Sequence, residues 1–136
     1  MAQYRTVEGE LSGTVNTPAQ LTTFGAETGV GPIKVPAMAS SIKEIWVSLG
    51  ATVDTAADSA TYTLRLSGKG MRGGDQDFTI GGIGGGVTNT GTIFCPPQRL
   101  PVDIDVVPNE TISVNVQYAS AQAIPANSCG VTLVFA

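Results

Sequence analysis

Apolar and polar residues alternate strictly along residues 109–118. The apolar positions of this stretch are Ile112, Val114, Val116 and Tyr118. Because successive side chains on a β-strand point to opposite faces, the pattern predicts a strand with one apolar and one hydrated face. Residues 102–106 alternate in the same way, and a polar turn at 107–109 follows them. Together the two stretches predict a β-hairpin whose apolar face the rest of the chain covers.

Three further stretches, residues 41–49, 61–67 and 130–136, also alternate with a period of two. Their apolar faces are predicted to consist of Ile45, Val47 and Leu49, of Tyr62, Leu64 and Leu66, and of Val131, Leu133 and Phe135. Trp46 has the opposite parity from its apolar neighbours, so its side chain is predicted to point away from the main core.

Turn residues separate these strands at short intervals. Pro96 and Pro97 are predicted to stop a short strand over residues 93–95. Loops are predicted over residues 25–31, 54–59, 81–91 and 119–128, and no stretch predicts a helix longer than one turn. About eight to ten short strands with this spacing predict an all-β fold, an antiparallel β-sandwich or barrel, in which residues 1–136 form one domain.

Charged residues make up 13% of the chain, histidine is absent and 17 residues are glycine. The charged fraction is about half that of an ordinary globular domain, so uncharged polar groups must cover much of the surface. This composition favours a chain that buries further surface in an oligomer. The net charge of −4 comes without a basic cluster, so nucleic-acid binding is not expected. No apolar stretch is long enough for membrane insertion, and the chain as given shows no secretion signal.

Catalytic chemistry finds little support in the sequence. Without histidine, neither a Ser-His nor a Cys-His pair can form, and a zinc site would lack its usual imidazole ligands. The glycine run at 81–86 is followed by neither a lysine nor a predicted helix, so a phosphate-binding loop is not expected. We therefore assign no catalytic residue, no cofactor and no metal ligand, and we expect a protein that is not an enzyme.

Cys95 and Cys129 are the two cysteines of the chain. They could form one disulfide, or both could be buried thiols that behave as small apolar residues. Cys95 lies between Phe94 and Pro96, and such apolar neighbours raise the pKa of a thiol rather than activate it as a nucleophile. The sequence leaves both alternatives open.

The overall layout resembles a single jelly roll, with about eight short antiparallel strands in two packed sheets. Residues 33–36 (Ile-Lys-Val-Pro) lead into the second half of this pattern, and the alternating stretch 130–136 closes it. The chain is similar in this respect to the small single-jelly-roll proteins of virus particles, as capsid or spike subunits, and to trimeric tumour-necrosis-factor-like folds. The resemblance covers most of the chain and is one of pattern, so no functional residue is carried over from a family.

The resemblance implies a structural protein that works by self-association, commonly as a homotrimer. We expect a virion subunit in a capsid, a decoration or a spike, with other virion proteins as further partners. Its location would be the virion, or the cytoplasm if the protein is cellular. Apolar contacts between subunits are expected from Trp46, Met71 and Val134, although Trp46 could instead cap the edge of the sandwich.

A carbohydrate-binding, lectin-like β-sandwich is the alternative function. Such a site stacks a sugar on an exposed aromatic ring and uses Asp or Asn with calcium. The residues available for it are Trp46, Tyr118 and two Asp-x-Asp pairs, Asp75 with Asp77 and Asp103 with Asp105. Calcium takes roughly six to eight oxygen ligands and no fixed-spacing loop supplies them, so solvated carboxylates are the favoured interpretation of both pairs.

Overall fold

The computed structural model describes residues 2–11, 17–23, 32–53, 59–84, 91–120 and 126–136. The predicted loop at 25–31 lies outside these residues. So do residues 54–58, 85–90 and 121–125 of the other predicted loops.

The described part of the chain contains ten β-strands and no helix. In chain order they are β1 (Gln3–Glu10), β2 (Ala19–Gln20), β3 (Thr22–Thr23), β4 (Ile33–Lys34), β5 (Ser41–Val53), β6 (Ser59–Ser67), β7 (Gln76–Gly84), β8 (Gly91–Asp105), β9 (Thr111–Ser120) and β10 (Ala126–Phe135). The prediction of an all-β chain with about eight to ten strands is confirmed.

The strands form two antiparallel sheets within the described residues. The first sheet has the order β3-β1-β10-β5-β8, and the second has the order β2-β9-β6-β7, with β4 also paired to β9. One cluster of buried apolar side chains draws on both sheets, which therefore pack face to face. The predicted antiparallel β-sandwich is confirmed.

The predicted apolar faces point into this shared core. All four apolar residues predicted for β9 are buried, and so are those predicted for β5, β6 and β10. Among the largest buried side chains are Tyr62, Tyr118 and Phe135, and the rings of Tyr62 and Tyr118 lie 6.0 Å apart. Burial of a Val, Leu, Ile or Phe side chain contributes roughly 1.5–3 kcal/mol, so this core is the main source of stability for the sandwich.

The predicted hairpin between residues 102–106 and 109–118 is wrong. Strand β8 pairs with β5 in the first sheet, whereas β9 pairs with β6 in the second. The turn between them carries the chain from one sheet to the other, and Asn109 has a φ of 66° there, a left-handed conformation that asparagine tolerates. Alternation and turn residues look the same for a hairpin and for a connection between sheets, so the local sequence could not distinguish them.

Two predicted interruptions are paired strand in the structure. Strand β8 continues through Pro96 and Pro97, where its pairing with β5 shifts register between the partners of Val47 and Leu49. Prolines fit at this place because β8 is an edge strand and a register irregularity leaves ladder positions that need no N–H donor. Residues 81–84, predicted as part of a glycine loop, belong to β7 and pair with β6.

Shortening a core side chain should destabilise the sandwich far more than a change at the adjacent outward position. Leu64 is fully buried and faces Val116 across the β6–β9 pair, whereas Thr63 is partly exposed on the opposite face. We expect Leu64→Ala to lower the free energy of unfolding by about 2–5 kcal/mol, and Thr63→Ala to lower it by less than about 1 kcal/mol. Urea unfolding followed by circular dichroism measures both values, and equal losses would contradict the assigned faces.

Candidate interaction surface

Five residues from four strands meet on the outer face of the first sheet. Tyr4 on β1 is opposite Val134 on β10, which is opposite Glu44 on β5, and Trp46 on β5 is opposite Arg99 on β8. Residues that are directly opposite lie on the same face of a sheet, and so do residues two apart on one strand. We call these five residues the outer cluster.

Trp46 is fixed at the centre of the outer cluster by its neighbours. Its indole Nε1 donates a hydrogen bond to Oε2 of Glu44 at 2.8 Å. Nη2 of Arg99 donates to both oxygens of the same carboxylate at 2.9 Å each, and the guanidinium carbon lies 5.0 Å from the centre of the Trp46 ring. The Tyr4 ring lies 5.4 Å from the Trp46 ring and is tilted by 53° to it.

In the outer cluster, Trp46 is fixed at the centre, and Tyr4 and Arg99 are exposed around it. A cation over an aromatic face contributes about 0.5–1 kcal/mol at an exposed site, and a tilted aromatic pair contributes about 0.5–1.5 kcal/mol. Tyr4 is still 52% exposed, and Arg99 is also exposed. Because these side chains are already held in place, little rotamer freedom is lost when another surface packs on them. The arrangement is suited to docking.

Glu44 connects Trp46 with Arg99 and depends on its charge to do so. The hydrogen bond from Arg99, followed by the one from Trp46, lowers the pKa of the Glu44 carboxyl below its ordinary value. Both neighbours donate, so the ionised carboxylate is the form that satisfies them.

The three residues predicted as subunit contacts lie in different surroundings. Trp46 is on the outer face as predicted, and because β5 lies between β10 and β8 it stands in the middle of a sheet rather than at an edge. Val134 lies on the same face but is only 5% exposed. Met71, also 5% exposed, belongs to the core and bridges to Val106. Val134 and Met71 therefore offer little surface in the single chain, and the subunit contacts through all three residues stay predictions.

The sequence prediction did not include Tyr4, Glu44 or Arg99. One of them could have been found, since Glu44 is two residues before Trp46 and a strand places both on one face. Tyr4 and Arg99 come from strands that are distant in the chain, and only the pairing of β1, β10, β5 and β8 brings them to Trp46.

A shallow groove of about 620 Å³ lies farther along the outer face of the first sheet. Gly50 and Gly130 form part of its floor, Glu8 and Glu10 line one side on β1, and Pro97 lines the other on β8. The groove exists because glycines on the outward parity carry no side chain. A Cβ atom added at Gly130 would lie 3.2 Å from a side-chain oxygen of the neighbouring strand.

The outer face of the second sheet is polar and internally paired. Arg65 donates to both carboxylate oxygens of Asp77, from Nε at 2.7 Å and from Nη2 at 2.8 Å, which lowers the pKa of Asp77. On the first sheet, Nζ of Lys43 on β5 lies 2.7 Å from Oδ1 of Asp103 on β8. One carboxylate of each Asp-x-Asp pair is thus engaged by a cation. Among the residues that the structure describes, no group of three or more His, Cys, Asp or Glu side chains is placed to hold a metal ion.

Cys129 is a buried free thiol, which contradicts the disulfide alternative. Leu49 on β5 pairs with Cys129 on one side and with Cys95 on the other, so the two cysteines lie two strands apart, roughly 9.5 Å. A disulfide cannot span that separation. Burial raises the pKa of the Cys129 thiol to about 12, so it is not an activated nucleophile.

Both aromatic residues considered for sugar binding, Trp46 and Tyr118, are poorly placed for it. Tyr118 is fully buried in the core, so the expectation that it could stack on a sugar is wrong. Trp46 is on the surface, but the Arg99 guanidinium lies over its ring. The lectin-like alternative therefore lacks an open aromatic platform at either residue. No helix in the described part of the chain is long and apolar enough to cross a membrane.

No protein-family model and no curated protein sequence matches the chain. Among solved structures, a chain of empty-head turnip yellow mosaic virus is 15% identical, with 99% of this chain and 80% of that chain covered and a TM-score of 0.38. A second chain, from turnip yellow mosaic virus, is 14% identical, with 99% of this chain and 93% of that chain covered and a TM-score of 0.38. A chain of infectious bursal disease virus, Gx strain, is 15% identical, with 98% of this chain and 32% of that chain covered and a TM-score of 0.40.

All three of these solved structures are of viruses. The chain spans 32% of the infectious bursal disease virus chain. All three TM-scores are below 0.5.

Lowering the pH should release Trp46 from Glu44. Because the folded-state pKa of Glu44 lies below the ordinary value of roughly 4.3, its stabilising contribution is present above that value and is lost as the pH falls through the folded-state pKa. Trp46 is the one tryptophan, so its fluorescence reports this site alone. We expect a change of emission with a midpoint below the ordinary Glu pKa.

The variant Glu44→Gln should lack this transition, and Glu10→Gln, which changes a carboxyl outside the outer cluster, should retain it. A midpoint at or above the ordinary pKa of Glu, or an unchanged transition in Glu44→Gln, would contradict the role given to the carboxylate.

Proposed function

We propose that this chain is a non-enzymatic structural protein that self-associates through the outer face of its first sheet, with a homotrimer as the assembled form. The observation that carries the proposal is the outer cluster. In it, Tyr4, Trp46 and Arg99 are held against one another on an accessible face. Trp, Tyr and Arg are the residue types most enriched at the energetic centres of protein interfaces. A second copy that packs on this cluster would complete the burial of two aromatic rings.

The distribution of charge supports the same function. Charged residues are only 13% of the chain, and the charged groups within the outer cluster already pair with each other, Arg99 with Glu44 at 2.9 Å. An unpaired charge buried in an interface is costly, whereas a pair with satisfied hydrogen bonds costs much less to cover. The face can therefore be buried without leaving a charge uncompensated at its centre.

We further propose that the sandwich is a single jelly roll, and the strand order supports this. Strands β2 and β4 both pair with β9 and so share one position, while the two-residue β3 extends the edge at β1. The eight positions that result pair in a nested way: β1 with β10, β2 and β4 with β9, β5 with β8, and β6 with β7. Nesting of this kind arises when one long antiparallel pair of chain segments wraps into two sheets, as in a jelly roll.

Within this proposal the assembly is part of a virus particle, as a capsid, decoration or spike subunit that also contacts other virion proteins. The proposal is supported by the jelly-roll strand order together with the chemistry of the chain. Histidine is absent from the sequence, and the buried Cys129 thiol has a raised pKa. These features suit a subunit whose work is to pack against copies of itself.

Removal of either aromatic ring of the outer cluster should weaken assembly. We expect Trp46→Ala and Tyr4→Ala to shift the protein towards the monomer in sedimentation velocity at concentrations where the unaltered chain is assembled. The matched control is Met38→Ala, because Met38 is an apolar residue that is 88% exposed on a turn outside the outer cluster. Circular dichroism melting of each variant establishes that it is folded.

Assembly that is unchanged in folded Trp46→Ala and Tyr4→Ala would contradict the assignment of this face. An equal loss of assembly in Met38→Ala would show that any exposed apolar residue matters and would also contradict it. Electron microscopy of the assembled species then distinguishes closed trimers from shells or fibres.

A further inference from the structure

A glycine-rich turn between β6 and β7 presents two cations on a fixed backbone. Lys69 and Arg72 are exposed there, whereas Met71 between them is buried in the core. The N–H of Gly70 donates to the carbonyl of Thr111 at 2.8 Å, and the N–H of Arg72 donates to the carbonyl of Asp105 at 3.2 Å. We call residues 68–74 the basic turn. Its cations are carried by an anchored loop.

Glycine is required for the close packing of the basic turn. Gly68 has a φ of 109°, and a Cβ atom there would lie 2.8 Å from the carbonyl oxygen of Thr111. A Cβ atom at Gly70 would lie 2.6 Å from a side-chain carbon of Ile112. The turn is therefore pressed against the start of β9, which leaves Lys69 and Arg72 as the groups that project from it.

The groove on the first sheet is complementary to this turn in charge. Glu8 and Glu10 line one side of it and are exposed. Its floor is lowered where Gly50 and Gly130 carry no side chain on the outward parity. Two cationic side chains that project from the turn match a depression lined by two carboxylates, which is the charge complementarity that selects and orients a partner.

The two features cannot meet within one molecule. The basic turn hydrogen-bonds to Asp105, which pairs with Ser41 at the start of β5, whereas the groove lies beside Ser48 and Gly50 of the same strand. From Ser41 to Ser48, β5 advances roughly 23 Å at about 3.3 Å per residue. A contact between the turn and the groove therefore joins two copies of the chain.

We propose that the basic turn of one copy docks in the groove of the next copy, with Lys69 and Arg72 facing Glu8 and Glu10. The inference rests on the proposed self-association and specifies its geometry. The contact uses two different surfaces, so it is heterologous, and a heterologous contact closes into a ring when its rotation permits. A threefold ring is the simplest form that agrees with a homotrimer, and it places the outer cluster next to the incoming subunit.

Charge reversal tests this contact, and a charge exchange tests its specificity. The first variant is Glu8→Lys with Glu10→Lys, the second is Lys69→Glu with Arg72→Glu, and the third combines all four changes. Each of the first two places like charges at the contact, so we expect both to be monomeric where the unaltered chain is assembled. The third variant has lysines in the groove and glutamates on the basic turn. Opposite charges again face each other, so we expect it to assemble.

A control variant with the same change of net charge as the first reversal variant is Asp75→Lys with Asp103→Lys, since both residues are exposed and outside the groove and the turn. It should assemble like the unaltered chain, because exchange of the exposed Lys43–Asp103 pair for two exposed lysines costs little in solvent. Light scattering after size exclusion measures each mass, and circular dichroism melting shows that each variant is folded.

Recovery of assembly by the fourfold variant, with the control unaffected, would support the contact. If the two reversal variants assemble normally while Trp46→Ala does not, the turn-and-groove contact is wrong and the proposed self-association through the first sheet remains. If both reversals are monomeric but the fourfold variant is monomeric too, the two surfaces do not face each other, which also overturns the contact. A monomeric unaltered chain would overturn the proposed function itself.

Discussion

One face of each sheet is buried in a shared core. This burial determines which side chains lie on the outer faces of the sandwich. Ile45 and Val47 are buried on β5, so Trp46 between them must lie on the outer face. A shift of β5 by one residue would bring Trp46 inward but would expose both of its aliphatic neighbours. The free-energy cost of exposing these two residues fixes the register of β5, and this register places Trp46 and Glu44 in the outer cluster.

The outer cluster is consequently a product of topology more than of any single strand. The first and last long strands lie side by side, which brings Tyr4 of β1 across β10 to Trp46 of β5, and the edge strand β8 adds Arg99. Glu44 then receives hydrogen bonds from both Trp46 and Arg99, so one carboxylate fixes an aromatic ring and a guanidinium at once. These side chains of the outer face are therefore already ordered, and little further rotamer entropy would be lost if another surface packed on them.

The sequence was sufficient for the buried faces of four strands, but not for the full extent of every strand or for the strand partners. Period-two alternation identified the buried side of β5, β6, β9 and β10, because that pattern is local. The turn at 107–109 has the chemistry of a hairpin turn, but turn residues do not determine whether the next strand joins the same sheet. Met71, within a run of glycines, gave no local indication that its turn folds back against Val106. Arg99 reaches Trp46 only through long-range pairing.

Self-association is the central claim, and the solution mass of the unaltered protein tests it most directly. Light scattering on a sizing column across a dilution series measures that mass without any substitution. We expect a closed species with the mass of three chains, which persists over the first dilutions and dissociates only at the lowest concentrations. A monomer at every concentration would contradict the account, since the exposed Tyr4–Trp46–Arg99 face would then have no copy of the chain to bind.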